Sequence, residues 1–233
     1  MIKRIVALIL ILNVTACAEL QQVINQMPQG GLGNAEIASG LREALDFGID
    51  KQVSKLTAED GFFKNELVKI LLPKELQKVD KALRDIGLGN LADEGLKVLN
   101  RAAEDAVKEA TPIFVSAVKD ITFADAKNIL IGSDNAATHY LTDKTQTALY
   151  GKFNPVIKSS FSKVGADQIW ENLINRYNSI PFTNNVNPDL TDYVTGEALK
   201  GVYTMIAVEE KEIRNKVSSR TTDLLKKVFA LQD

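Results

Sequence analysis

From Asn34 onward apolar side chains recur at every third or fourth position, and this period decides what the chain can fold into. A helix places residues at that spacing on one face, so each such run predicts an amphipathic helix with a stripe to bury. Ile37, Leu41, Ala44 or Leu45, and Ile49 make the first stripe. Leu72, Leu76, Val79, Leu83 and Ile86 make a second, with Pro73 at the first turn, where a helix tolerates proline. Beyond Gly87-Leu88-Gly89 comes the longest stripe: Leu96, Leu99, Ala103, Ala106 or Val107, and Ala110. Its alanines suit close helix packing. Pro112 kinks this helix or ends it near Ala110.

Thr122-Phe123-Ala124-Asp125 reads as a capping box that opens a helix to about Ile131. Gly132-Ser133-Asp134 is expected to stop that helix and cap the next, whose stripe is Ala137, Tyr140 or Leu141, and Ala148. Phe153, Ile157, Phe161, Val164, Ile169 or Trp170, Leu173 and Tyr177 continue the pattern. Ile180 to Pro188 is the clearest loop, and Thr191 is expected to cap a long final helix broken or bent around Val217-Ser218-Ser219. No run of alternating β-branched residues is long enough to build a sheet. The expected architecture is all-α, a multi-helix bundle of about seven to nine helices without significant sheet. Residues 34–233 would form it as a single helical domain or as two packed lobes.

The first 33 residues carry a different signal. Residues 1–16 have the parts of an export signal: Lys3 and Arg4, an apolar core from Ile5 to Leu12, then small residues. A core of about eight residues falls far short of the ~20 that cross a bilayer as a helix. Val14-Thr15-Ala16-Cys17 resembles the bacterial lipobox, which implies cleavage before Cys17 and acylation of its thiol. Several acyl chains anchor stably where one binds only marginally. Ala18 stands where an aspartate would favour inner-membrane retention. The expected location is therefore the periplasmic face of the outer membrane of a Gram-negative bacterium. Residues 17–33 read as a lipidated flexible tether, because their glycines lack the strand and the Gly-Lys-Ser/Thr ending of a phosphate loop.

Composition removes several classes of function. Cys17 is the only cysteine, so neither an internal disulfide nor a cysteine-based metal site is available. The formal net charge of -2 comes without a basic stripe, which argues against a nucleic-acid partner. His139, the only histidine, points away from its helix's apolar stripe, with Asp143 at i+4 as a surface partner. Ser159, Ser160 and Ser162 lack the Gly-x-Ser-x-Gly frame of a hydrolase elbow. Asn185-x-Asn187-x-Asp189 fails as a calcium loop, with Leu190 where glycine is needed and Gly196 where glutamate is needed. No catalytic residue, metal ligand or cofactor is assigned.

One carboxylate stands out. The last long stripe, Ala198, Val202, Met205 or Ile206, Ile213 and Val217, has Glu209 at its missing step. A buried, unpaired carboxylate would cost several kcal/mol, so Glu209 requires a buried partner such as an arginine, or a pocket. Its neighbours Glu210 and Arg214 read as an ordinary i, i+4 pair.

Several strings are familiar together: Gly40-Leu41-Arg42-Glu43-Ala44-Leu45, Asn100-Arg101-Ala102-Ala103-Glu104, Gly132-Ser133-Asp134-Asn135-Ala136-Ala137-Thr138, Tyr140-Leu141, and Leu224-Leu225-Lys226-Lys227-Val228-Phe229. In order and spacing they resemble a bacterial family known as domain of unknown function 4197, over roughly residues 34 to 231. The resemblance implies a helical, exported protein, commonly Gram-negative, and no activity. Asp134 and Thr138, one turn apart at a helix start, are the first candidates for a shared binding role, with helix capping by Ser133 or Asp134 as the plain alternative. The leading functional expectation is a non-enzymatic binding or structural module, held to the membrane by the lipid on Cys17 and facing a periplasmic protein partner. The alternatives are a carrier of an apolar small ligand between helices, and an enzyme built on carboxylates such as Glu209 or Asp134.

Overall fold

The three-and-four spacing folds into helices around one apolar core. The computed structural model describes residues 33–74, 76–85, 87, 89–168, 171, 175, 178 and 189–232, and of residues 79, 82, 83, 91 and 92 the backbone alone. The leader, the tether up to residue 32, the stripe positions 86, 169, 170, 173 and 177, and the loop 180–188 lie outside the described residues. Among the described residues the elements are α1 (Asn34–Thr57), α2 (Gln77–Asp85), α3 (Gly89–Val107), α4 (Ala110–Lys119), α5 (Phe123–Leu130), α6 (Ala136–Lys163), α7 (Thr191–Asn215), a 3-10 turn (Val217–Ser219) and α8 (Asp223–Phe229). They include no strand, so the bundle is all-α, as the period predicts.

Helices α6 and α7 pack along each other, and α3 lies against both. α1 crosses α7 and also contacts α3, α4, α5 and α8. The largest fully buried side chains include Leu41, Ile49, Leu99, Phe114, Leu149 and Phe153. Each contributes about 1.5–3 kcal/mol of burial. Two glycines permit close approach. A Cβ on Gly40 of α1 would lie 2.6 Å from Val228 of α8, and one on Gly201 of α7 would lie 2.7 Å from the Phe62 ring. None of the described helices is long and apolar enough to cross a membrane.

Several local expectations need correction. The second stripe predicts a helix from Leu72, but α2 begins only at Gln77. Residues 69–72 run without helix, and Leu72 and Leu76 are nevertheless buried. The cause is remote: the Asn100 side chain accepts from Ile70 N–H at 2.8 Å and donates to Ile70 C=O at 2.9 Å. It thereby satisfies the backbone as a neighbouring strand would. The inward face of α6 is Ala137, Thr138, Leu141, Thr145 and Leu149, so Ala148 points to solvent and Val164 is likewise exposed. Thr145 fits the core because its hydroxyl donates to Leu141 C=O at 2.6 Å and lies 2.7 Å from the Tyr203 hydroxyl. Thr191 does not cap α7; its own N–H donates to the Asp189 carboxylate at 2.8 Å.

Other expectations hold. Thr122 and Asp125 form the reciprocal box at the start of α5, with Asp125 N–H on the Thr122 hydroxyl and Thr122 N–H on the Asp125 carboxylate. α3 stops at Val107, so Pro112 falls in the first turn of α4. α7 ends at Asn215, just before the bend around residues 217–219.

The turn after α1 leaves less room for a Cβ than any other described glycine position. A Cβ on Gly61 would lie 2.3 Å from Lys55 C=O and 2.6 Å from Leu56 C=O, backbone atoms that cannot swing aside. Gly61→Ala should therefore lower the unfolding free energy by about 1–3 kcal/mol, read as a shifted urea midpoint with an unchanged slope.

Candidate functional site

Helix termini leave N–H and C=O groups without intrahelical partners, and in a packed bundle something must meet them. At the corner between α5 and α6 that task falls to two residues of α7. The Glu210 carboxylate accepts from Ala137 N–H at 2.9 Å, from Thr138 N–H at 2.8 Å and from the Thr138 hydroxyl at 2.8 Å. It thus caps α6 from a different helix. Arg214 donates to Glu210 from Nε at 3.0 Å and from Nη2 at 2.8 Å. The same guanidinium donates to Ile129 C=O at 2.8 Å and Leu130 C=O at 3.2 Å, the last carbonyls of α5. Negative charge thus sits at a helix N-terminus and positive charge at a helix C-terminus, each favoured by the local dipole. Both residues are buried.

The arrangement bears out one sequence reading and overturns another. Glu210 and Arg214 form the expected i, i+4 pair, and it is buried as a clamp. Neither Ser133 nor Asp134 caps α6: its N-cap is Asn135, which makes no side-chain cap bond. Ser133 instead donates to the Asn135 side chain at 2.9 Å. His139 is exposed, and its Nε2 lies 3.0 Å from the Asn135 amide, one turn before it, rather than against Asp143.

Glu209 is buried where the stripe places it, and its partners are Lys51 at 2.6 Å and Gln52 at 2.5 Å, both on α1. The expected arginine is a lysine, whose stem leaves its charge part-way in solvent. Gly48 makes room: a Cβ there would lie 3.2 Å from Glu209 Cγ. The space around Glu209, Glu210 and Arg214 measures about 20 Å³, too small for any organic ligand. Glu209 and Glu210, adjacent in sequence, face different partners and do not converge.

A third buried carboxylate braces the other end of the bundle. Glu104 accepts from Phe62 N–H at 3.1 Å and takes Arg101 at 2.6 Å. Arg101 also reaches Glu59 at 2.8 Å and Asp60 at 2.7 Å. The hydrogen bond from Lys64 to Asp60, joined by the Lys64 and Arg101 charges, outweighs desolvation and holds the Asp60 carboxyl below the usual range.

The corner carries an open cleft. Its volume is about 450 Å³, and it is lined by Ile37, Phe123, Leu130, Ile131 and Leu231, with Lys127, Asp134 and Arg214 among the polar groups. Asp134 and Thr138, paired in the sequence reading, part company here: Thr138 faces inward to Glu210, and Asp134 is exposed at the cleft. Ile131 is 54% exposed beside it. The Gln232 amide bonds Leu130 C=O across one wall. No group of three or more His, Cys, Asp or Glu among the described residues is placed to hold a metal ion.

Fold and site together define a class: an all-helical bundle whose buried charges fasten helix ends and irregular chain, with a cleft at one corner. Within it the chain belongs to the family described as protein of unknown function (DUF4197), whose model matches residues 31–230. Neither the curated proteins nor the solved structures yielded a match to the chain. The family strings now have physical roles. Gly40 receives α8, Asn100 to Glu104 hold residues 59–70, and Gly132 to Thr138 form the clamped corner.

Three outcomes follow. Glu210→Ala leaves Arg214 as an uncompensated buried charge, so it should cost about 3–5 kcal/mol in urea unfolding. Glu209→Ala should cost clearly less, because Lys51 can turn to solvent. Asp60 has φ of 66°, a conformation asparagine also accepts. With a folded pKa below its unfolded value, Asp60 adds stability above the usual carboxylate range and loses it as pH falls through the lowered value. Asp60→Asn should therefore remove part of the acid-side fall in urea midpoint and lower the midpoint at neutral pH.

Proposed function

We propose that this chain is a non-enzymatic interaction module, anchored by the lipid on Cys17 to the periplasmic face of the outer membrane, that holds a periplasmic protein partner at the α5–α6 corner. The observation that carries this reading is the corner cleft. An apolar recess large enough for one or two side chains sits on a rigidly clamped turn, with Lys127 and Asp134 as polar contacts. Interfaces draw their affinity from such pockets, filled by an aromatic or aliphatic anchor of the partner. The buried carboxylates support the same reading from the other side, since Glu104, Glu209 and Glu210 are all engaged in fastening the fold. The carrier reading finds no support in the 20 Å³ space inside the bundle.

The test is photo-crosslinking in intact cells. A benzophenone amino acid at Ile131 should give a reproducible protein adduct, and Lys127→Glu should reduce it; no adduct would remove the reading. The anchor is tested separately: Cys17→Ser should abolish acyl labelling and leave unprocessed precursor. A protein that still matures and stays with the membrane fraction would remove the anchor.

A further inference from the structure

A second concave surface lies toward the opposite end of α7. Its volume is about 590 Å³. One wall is the non-helical segment Leu67 to Lys74, and the other is the first half of α7, from Tyr193 to Thr204. It shares no lining residue with the corner cleft. α7 has 25 residues, so its ends stand about 36 Å apart.

The segment alternates. Val68, Ile70 and Leu72 are buried, whereas Leu67 is 65% exposed and Leu71 53%. The exposure is built in. Asn100 fixes the Ile70 backbone on both sides, and the Tyr193 hydroxyl donates to Leu71 C=O at 2.8 Å. Core burial of the alternate side chains holds Leu67 and Leu71 outward, and exposed apolar side chains presented on a braced frame mark a surface for contact.

Charge says what the contact is with. Among the described residues, Lys69, Lys74 and Lys200 line the groove against a single carboxylate, Glu197, which lies 3.5 Å from Lys200. Lys69 sits 4.8 Å from the centre of the Phe63 ring, a contact that leaves its charge uncompensated. Glu66 is exposed nearby but does not line the groove. Apolar side chains ringed by excess positive charge favour an acidic partner. A two-walled groove fits a chain segment better than a flat bilayer, which needs protruding apolar groups. We infer that the groove between residues 67–74 and the first half of α7 docks an acidic, leucine-bearing peptide segment of a partner protein. This stands independently of the corner cleft.

The test uses the purified full chain and a fluorescein-labelled peptide of about twelve glutamate and leucine residues, read by anisotropy. Binding should weaken by about tenfold or more in Leu71→Ser and in Lys74→Glu, and should fall steeply in about 0.5 M salt. Both side chains are exposed, so unfolding midpoints should stay unchanged. The lysine counterpart of the peptide should not bind. Absence of binding, or binding indifferent to both substitutions, overturns the proposal. So does co-sedimentation with phosphatidylglycerol vesicles that Lys74→Glu abolishes while the peptide fails to bind, which would make the surface a lipid contact.

Discussion

The Glu210–Arg214 pair is the interaction on which the rest of the arrangement depends. A carboxylate and a guanidinium taken out of water lose hydration worth several kcal/mol each, and their mutual attraction restores that only with further hydrogen bonds in place. Here the further bonds are the open ends of two helices. The pair needs α5 and α6 to complete its coordination, and α5 and α6 need the pair to satisfy their termini. The corner from Leu130 to Ala136 is consequently fixed from below, although its residues from Ile131 to Asp134 stand in solvent. A recognition surface on such a corner loses little conformational entropy on binding.

The opposite end repeats the device with other atoms. Asn100 and Glu104, one turn apart on α3, take the backbone of Ile70 and Phe62, and Arg101 gathers the acidic side chains of the turn just before Phe62. α7 runs between the two ends and contributes a wall to each open surface. A module with two separate faces can hold two partners at once, and joining two weak contacts raises effective concentration without any new one. Anchorage at Cys17 would keep such a bridge at the membrane.

What the sequence made legible was whatever depends on local spacing. The helical class, the Thr122 box, the break near Pro112 and the inward placement of Glu209 follow from periods and caps within a few residues. Interactions across tens of residues were hidden. Leu72 and Leu76 fit a helical stripe, and only the amide of Asn100, from another helix, shows why the chain around Ile70 runs without helix instead. Thr145 stands at a core position that a search for apolar residues passes over. Glu210 looked like half of an ordinary i, i+4 pair because three of its five acceptor bonds come from atoms more than seventy residues away, and only the two from Arg214 are local. A signal was present: four residues, Glu209 to Glu212, carry charge directly after the apolar turn Met205 to Val208. A helix cannot send that many consecutive charges to solvent, since successive residues point in different directions.

The notch that Gly40 leaves for Val228 brings the first described helix against the last. Such a contact spans nearly the whole domain, and contacts of high sequence separation close late and slowly. A chain leaving a narrow channel amino end first would therefore present α1 with its Gly40 face bare until α8 had followed. During that interval the α1 stripe would stand uncovered on the face that α8 later fills, so the domain closes only once its last helix is free to fold back.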